Sequence, residues 1–169
     1  MLRMSKLTDY ATVLLAHMAH DQRISSAGEL AAATQLAGPT VSKLLKTLAK
    51  AGLVDSVRGP QGGYNLARHP DQISAADIID ALEGPVAITE CSAGAGHCEL
   101  ESVCHIGSAW QRINRGIRLA LGQVSLLDLQ NQANPMPSVD LSGAARGVAH
   151  NPNGCLLYTS DAADDRYKV

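Results

Sequence analysis

The chain has 169 residues, 46% of them hydrophobic, which is enough for one compact domain with an appendage and a buried core. No run of about 18 apolar residues occurs and the first residues lack a signal-peptide pattern, so we expect no membrane span and a cytoplasmic protein. Residues 1–69 hold eight Lys or Arg and four acidic residues, whereas the remaining 100 hold six and twelve. A basic front half predicts a polyanion contact on one face; the alternative is an uneven distribution of solvated charges.

Helical periodicity predicts three helices in the first 51 residues. Apolar residues recur at helical spacing over 5–20, and a capping box of Ser26 and Glu29 opens a second helix that ends at Ala33. The third helix runs from Pro39 to Ala51 and carries an apolar stripe of Val41, Leu44, Leu45 and Leu48. Two short helices joined by a tight turn, the second polar on one side, indicate a helix-turn-helix.

Two short strands, 53–57 and 64–67, flank a segment rich in glycine and proline. That composition is typical of a hairpin tip. A hairpin that follows a helix-turn-helix directly is interpreted as a wing, so the sequence predicts a winged helix-turn-helix.

The candidate DNA contacts lie on the third helix and on the wing. A recognition helix enters the major groove by its N-terminal residues, whose hydroxyl and ammonium groups can bond base edges and phosphates. These candidates are Pro39, Thr40, Ser42, Lys43 and Lys46 on the helix, and Arg58, Gln61 and Tyr64 on the wing. Arginine at a wing tip suits a narrow minor groove. We therefore expect double-stranded DNA as the partner; the alternative is a solvated face of a protein-interaction module.

The second half predicts one more short helix and then a long one. A helix opens at Ser74 and stops at Gly84, and after a loop a long helix runs from about Glu101 towards Gly122. Its near-heptad apolar positions are Val103, Ile106, Trp110, Ile113, Ile117 and Leu121, and the positions beside them, including Asn114 and Arg118, are polar. So narrow a seam predicts a homodimer through the same helix of a second copy. The alternative is docking on its own domain.

Three cysteines occupy the loop between these helices. Cys91, Cys98 and Cys104 are spaced C-x6-C-x5-C, with glycines between them. Clustered cysteines in a reducing compartment point to metal or redox chemistry. Structural zinc usually takes closer pairs, and no C-x-x-C pair supports a thiol redox enzyme, so the wide spacing favours an iron–sulfur cluster and no enzymatic activity. A structural zinc and incidental thiols stay open on spacing alone.

Three features together resemble the IscR/NsrR family of iron–sulfur winged-helix regulators over about residues 1–130: the segment LTDYA at 7–11, the wing VRGPQGGY at 57–64, and the three cysteines followed by Trp110. Within that family the chain is most similar to the regulator of the SUF iron–sulfur assembly system. The resemblance implies a homodimeric repressor that binds palindromic half-sites, and a cluster on the three cysteines, 2Fe–2S favoured over 4Fe–4S. It also implies control of cluster-assembly genes by cluster supply or by oxidative or nitrosative stress, with no small-molecule substrate.

The fourth cluster ligand separates branches of this family. One branch places a histidine three residues after the third cysteine, where this chain has Gly107. Other members recruit an acidic residue from the N-terminal helix of the partner subunit, and Asp9 has that position. We therefore favour Asp9 as fourth ligand, ahead of His105 and His97. The alternative for Asp9 is a first-turn carboxylate that favours the helix dipole.

These features predict a mainly α protein with a small β-hairpin wing, in four parts. They are a winged helix-turn-helix domain (1–84), a cysteine-containing cluster loop (85–104), a dimerisation helix region (101–130) and a tail (131–169). Small and polar residues in the tail predict disorder. The composition changes abruptly at 155, so 155–169 are interpreted as a fusion scar or a reading-frame artefact.

Overall fold

The computed structural model describes residues 4–59, 62–93 and 106–131, and it confirms a mainly helical protein with a small hairpin. Residues 132–169, most of the predicted tail, lie outside the described residues. No helix within the described ranges is both long enough and apolar enough to cross a membrane. The elements in chain order are α1 (Lys6–Asp21), α2 (Ala27–Thr34), α3 (Gly38–Lys50), β1 (Val54–Val57), β2 (Gly63–Leu66), a 3-10 helix (Pro70–Gln72), α4 (Ala75–Glu83), α5 (Glu90–Ala93), α6 (Gly107–Gly122) and α7 (Leu126–Gln130).

Serine side chains cap the N-termini of four of the described helices. Each accepts a hydrogen bond from the backbone N–H three residues on, and the four are Ser5, Ser26, Ser74 and Ser125. In α2, α4 and α7 an acidic residue at that third position accepts a bond from the serine N–H in return, which completes a capping box. The predicted box of Ser26 and Glu29 is confirmed.

The core lies where α1 and α3 meet α2 and α4. The predicted stripe of α3 is confirmed, because Val41, Leu44, Leu45 and Leu48 are all buried. Burying each such leucine contributes about 1.5–3 kcal/mol. Tyr10 and Val13, apolar residues of the helical periodicity of α1, are exposed, whereas the buried positions of that helix are Thr8, Ala11, Leu14, Leu15, Met18 and Ala19.

The wing is an antiparallel pair with Val54 opposite Leu66 and Val57 opposite Gly63. Ser25 adds a short bridge to it: the Ser25 N–H donates to the Tyr64 carbonyl (3.1 Å) and the Tyr64 N–H donates to the Ser25 carbonyl (2.8 Å). A Cβ on Gly63 would lie 2.6 Å from the Ser25 carbonyl oxygen, so the approach requires glycine. The hairpin is thereby fixed against the start of the helix-turn-helix.

The residues that connect α6 to α7 are hydrogen-bonded into the winged-helix core. The Ala75 N–H donates to the Val124 carbonyl (2.8 Å), and the Leu126 N–H donates to the Ile73 carbonyl (2.7 Å). Val124 and Leu126 are buried. The long helix is described from Gly107; its predicted beginning near residue 101 lies outside the described residues.

The segment predicted as a plain cysteine loop contains a helical turn, α5. The Ser92 N–H donates to the Thr89 carbonyl (2.9 Å), and the two hydroxyl oxygens are 2.6 Å apart. Hydroxyl side chains that bond their own neighbourhood favour turns of this kind. Cys91 therefore lies in a short helix rather than in extended loop.

Candidate DNA-binding and cysteine sites

Burial of one stripe of α3 turns the predicted base-reading residues to the opposite face. Pro39, Lys43 and Lys46 are exposed there, and Thr40 and Ser42 are half-buried. Pro39 is the second residue of α3, not the first as predicted, because the helix begins at Gly38. The structure thus brings all five candidates of this helix together on one face.

The N-terminus of α3 is open to an anion. Its N-cap residue, Ala37, has no side chain that could bond the first turn, and that turn contains no acidic residue. Within the described ranges the N–H groups of Gly38 and Thr40 have no hydrogen-bond partner. Free N–H groups and the positive end of the helix dipole favour a phosphate at this position.

The basic side chains of this face make no ion pairs with other described residues. Lys43, Lys46 and Lys50 on α3 and Arg58 beyond β1 are all exposed, and the ion pairs between described residues lie elsewhere in the fold. Their charge is therefore available to a polyanion, as expected for DNA phosphates.

The wing tip is shaped by close backbone packing. The Gly62 N–H donates to the Gly59 carbonyl (2.9 Å), and a Cβ on Gly62 would lie 2.4 Å from the Val57 carbonyl oxygen. Tyr64 is half-buried and packs against the core. Gln61 lies outside the described residues.

The predicted cluster ligands are only partly within the described residues. Cys91 lies in α5, whereas Cys98, Cys104, His97 and His105 lie outside, and Gly107 is the first residue of α6. Among the described residues no three His, Cys, Asp or Glu side chains lie close enough together to hold a metal ion.

Asp9 lines one of two adjoining cavities, which we together call the groove. It is an exposed residue of the first turn of α1, and the carboxylate has no hydrogen bond or ion pair within the described ranges. The part of the groove beside Asp9, of about 450 Å³, shares Met4, Ile79 and Leu121 with an adjoining part of about 560 Å³, which is lined by residues 83–88. One groove therefore runs from Asp9 to the segment that precedes Cys91.

Glu83, which the sequence analysis did not single out, fixes the turn that carries Asp9. Its Oε1 accepts hydrogen bonds from the Thr8 hydroxyl (2.5 Å) and the Ser5 N–H (2.7 Å). These bonds, chiefly the one from Thr8, hold the pKa of Glu83 below its usual value. An acidic residue in the last turn of a helix opposes the dipole, and that anomaly at the end of α4 could have pointed to a partner.

A basic recognition helix with a wing behind it defines a DNA-binding transcriptional regulator. Residues 4–132 match the Rrf2 family, described as iron-dependent transcriptional regulators, and the chain belongs to this family. It is therefore a regulator of transcription and not an enzyme, and its resemblance to the IscR/NsrR type is confirmed.

Proteins that are similar to this chain in sequence and in structure support the same assignment. The transcriptional regulator IscR of Cereibacter sphaeroides is 30% identical over 145 residues, which cover 82% of this chain and 94% of that protein. The global cysteine regulator CymR of B. subtilis is similar in structure, with a TM-score of 0.61 and 30% identity over 79% of this chain and all of that one. IscR of T. potens has a TM-score of 0.58 and 30% identity over 79% of this chain and 89% of that chain.

Proposed function

We propose that this protein is a homodimeric repressor whose affinity for a palindromic operator depends on an iron–sulfur cluster held by Cys91, Cys98 and Cys104. One observation carries the proposal: in the sequence the cysteine segment connects the winged-helix domain to α6, and the residues that closely follow α6 are hydrogen-bonded back into that domain. A change in the cysteine segment therefore acts on an element that is joined to the DNA-binding core.

The DNA contacts in this proposal are the exposed face of α3 and the wing. Thr40, Ser42 and Lys43 reach base edges, and the open N-terminus of α3 and Lys46 hold phosphates. Arg58 enters the minor groove, with Gln61 and Tyr64 beside it. Two such units in a symmetric dimer read two half-sites.

The dimer is supported by apolar side chains that one chain leaves uncovered. Ile106, just before α6, and Trp110 and Ile113 within it are 63%, 38% and 47% exposed. The groove beside Asp9 offers apolar lining from Val13, Ile79 and Leu121. Exposed apolar stripes mark interaction surfaces, and a stripe with a groove on the same chain suits a two-fold dimer.

This dimer also explains why the fourth ligand would come from the partner subunit. If α6 of one protomer lies in the groove of the other, its N-terminal end, which closely follows Cys104, approaches the partner's Asp9. The Asp9 carboxylate is exposed and has no hydrogen-bond or ion-pair partner within the described residues, so it is free to bind a cluster. His105 and then His97 are the next candidates.

The donor set fits the group: thiolates are the usual ligands of iron–sulfur clusters, and a carboxylate is a weak fourth ligand. When bound, the cluster supplies a redox-sensitive link among the three cysteines. The chain's own residues then set the spacing of the two recognition helices, through α6 and through the hydrogen bonds that Val124 and Leu126, just beyond it, make with Ala75 and Ile73. A coupling of about 1–3 kcal/mol is sufficient for a useful switch.

The finer assignments follow the family resemblance. We propose that the protein acts in the cytoplasm and controls cluster-assembly genes, as the SUF-system regulator does, in response to cluster supply or to oxidative or nitrosative stress. By the same resemblance we propose a 2Fe–2S cluster rather than a 4Fe–4S cluster.

Anaerobic purification with iron, zinc and acid-labile sulfide analysis tests the cluster directly. We expect a coloured protein with iron and sulfide, and no stable cluster in Cys91→Ala. Asp9→Ala should shift the absorption spectrum and speed cluster loss, with Asp21→Ala, in the last turn of the same helix, as control. Stoichiometric zinc without sulfide would instead indicate a structural zinc site, and an unchanged spectrum in Asp9→Ala would remove Asp9 from the ligand set.

A further inference from the structure

Asn114 is a buried polar residue in the middle of α6. Only 6% of it is exposed, although it directly follows the exposed Ile113 and was expected among the polar positions beside the apolar seam. Asparagine is a poor helix former, and burial of an amide costs free energy unless its atoms are hydrogen-bonded. Its place in the interior therefore requires partners.

Both ends of the Asn114 amide hold one stretch of backbone. Its Nδ2 donates to the Val86 carbonyl (2.9 Å), and its Oδ1 accepts from the Ile88 N–H (3.3 Å). Val86 and Ile88 belong to no helix or strand, so the side chain supplies the pair of bonds that a neighbouring strand would give. We call residues 86–88 the clamped segment.

The clamped segment leads directly to Cys91. Only Thr89 and Glu90 intervene, and Thr89 is fixed to Ser92 by the backbone bond and hydroxyl pair that form α5. The position of the Cys91 backbone is therefore defined from α6 through a short and well-bonded path.

Arg118, one turn further along α6, makes a different attachment. Its guanidinium donates to the carboxylate of Asp80 in α4 through both terminal nitrogens, at 2.7 and 3.3 Å. Arg118 thus joins α6 to the winged-helix domain, whereas Asn114 joins the clamped segment to α6. The two residues lie on one face of the helix and allow the two attachments to be tested separately.

We propose that Asn114 is a positioning residue that sets the path of the chain into Cys91, so that retention of the cluster depends on this side chain. The inference rests on the proposed function. It assigns a role in cluster binding to a residue that is not a ligand, through hydrogen bonds to Val86 and Ile88.

Hydrogen exchange of the apo protein tests the clamp without any cluster. In full-length Asn114→Leu the amide of Ile88 should exchange at least about fivefold faster, since each lost hydrogen bond is worth about that factor. Asn114→Asp keeps the acceptor for Ile88 and regains a donor for Val86 when protonated, so its protection should recover as the pH falls. Unchanged exchange at Ile88 in Asn114→Leu would overturn the clamp.

Cluster retention tests the consequence. After anaerobic reconstitution, the visible absorbance of Asn114→Leu should decay in the presence of a chelator at least about fivefold faster than that of wild type. Arg118→Gln is the matched control on the same face and should change this rate less. Equal decay in Asn114→Leu and wild type, with faster exchange at Ile88, would overturn the positioning role.

These outcomes are separable from failure of the proposed function. A wild-type protein that takes up no iron or sulfide would overturn that function, and the positioning role with it, before any variant is compared. Faster cluster loss in Asn114→Leu, with the same thermal unfolding midpoint as Arg118→Gln, would support positioning rather than a general loss of stability.

Discussion

The winged-helix core and α6 differ in how far their apolar side chains are covered. In the core, Leu44, Leu45 and Leu48 of α3 are covered by other elements of the same chain. Trp110 and Ile113 of α6, and Ile106 just before it, stay exposed. Arg118 of α6 binds Asp80 of the winged-helix domain, and the residues that closely follow α6 are hydrogen-bonded to the same domain. In the proposed dimer each chain therefore supplies a complete DNA-reading unit, whereas the exposed apolar stripe is covered by a second copy.

The largest effect should follow from a charge on the exposed stripe. Ile113→Asp places a carboxylate where a partner helix would pack, so the protein should become monomeric in light scattering. Operator affinity should fall by about 10²–10⁴-fold because two linked half-site contacts become one. Ser108→Asp, on the other side of α6, is the control and should remain dimeric. An Ile113→Asp variant that is still a dimer would show that the exposed stripe is not the dimer interface.

The next effect separates a covered leucine from an uncovered isoleucine. In the monomeric Ile113→Asp background, Leu45→Ala should lower the free energy of unfolding by about 2–5 kcal/mol in urea denaturation, since it leaves a cavity. Ile106→Ala in the same background should change it by no more than about 0.5 kcal/mol. Similar costs at the two positions would show that α6 is as well covered as the core.

A smaller effect distinguishes base reading from phosphate contact on α3. Lys43→Ala near the helix N-terminus should weaken operator binding by about 1–3 kcal/mol and relax sequence preference. Lys50→Ala in the last turn should weaken binding to all DNA sequences alike. It should also reduce the slope of the logarithm of the binding constant against the logarithm of the salt concentration by about one. Fluorescence anisotropy at several salt concentrations measures both; equal effects on operator and unrelated DNA for Lys43→Ala would assign it to phosphate.

The smallest effect concerns the bond between α4 and α1. The pKa of Glu83 is held below its ordinary value of 4.5 by the Thr8 hydroxyl and the Ser5 N–H. The stabilisation is therefore fully present above about pH 4.5 and is lost as the pH falls through the lower, folded pKa. Glu83→Gln should melt earlier than wild type at pH 7, and the gap should close in acid.

Glu90→Gln is the control for that titration. It removes an exposed carboxylate that accepts no hydrogen bond within the described residues. Its melting temperature should follow wild type at each pH. A gap between Glu83→Gln and wild type that does not narrow as the pH falls below 4.5 would show that the carboxylate is not the stabilising form.

Local patterns predicted the DNA-binding half well because its signals are short-range. The capping box of Ser26, the stripe of α3 and the hairpin each depend on residues within a few positions of one another. The bridge from Ser25 to Tyr64 could not be predicted in this way, since it joins residues far apart in the sequence.

The buried positions of α1 and α6 were harder to predict because they depend on which neighbouring element packs against each helix. Val13 fits the apolar periodicity of α1 but faces the groove, and Asn114 looks like an outer position but is covered by the clamped segment. Spacing defines which residues share a face, and only the neighbouring elements decide which face is covered. The positions of Cys98 and Cys104 stay predictions from sequence.

Operator binding by one preparation, before and after cluster removal, tests the central claim most directly. The protein is purified without oxygen, its absorption spectrum is recorded, and its affinity for the operator is measured with the cluster bound and again after chelation. We expect a change of about 5–150-fold in the dissociation constant, in step with the loss of colour. A colourless, iron-free protein that binds the operator equally well after reconstitution would contradict it.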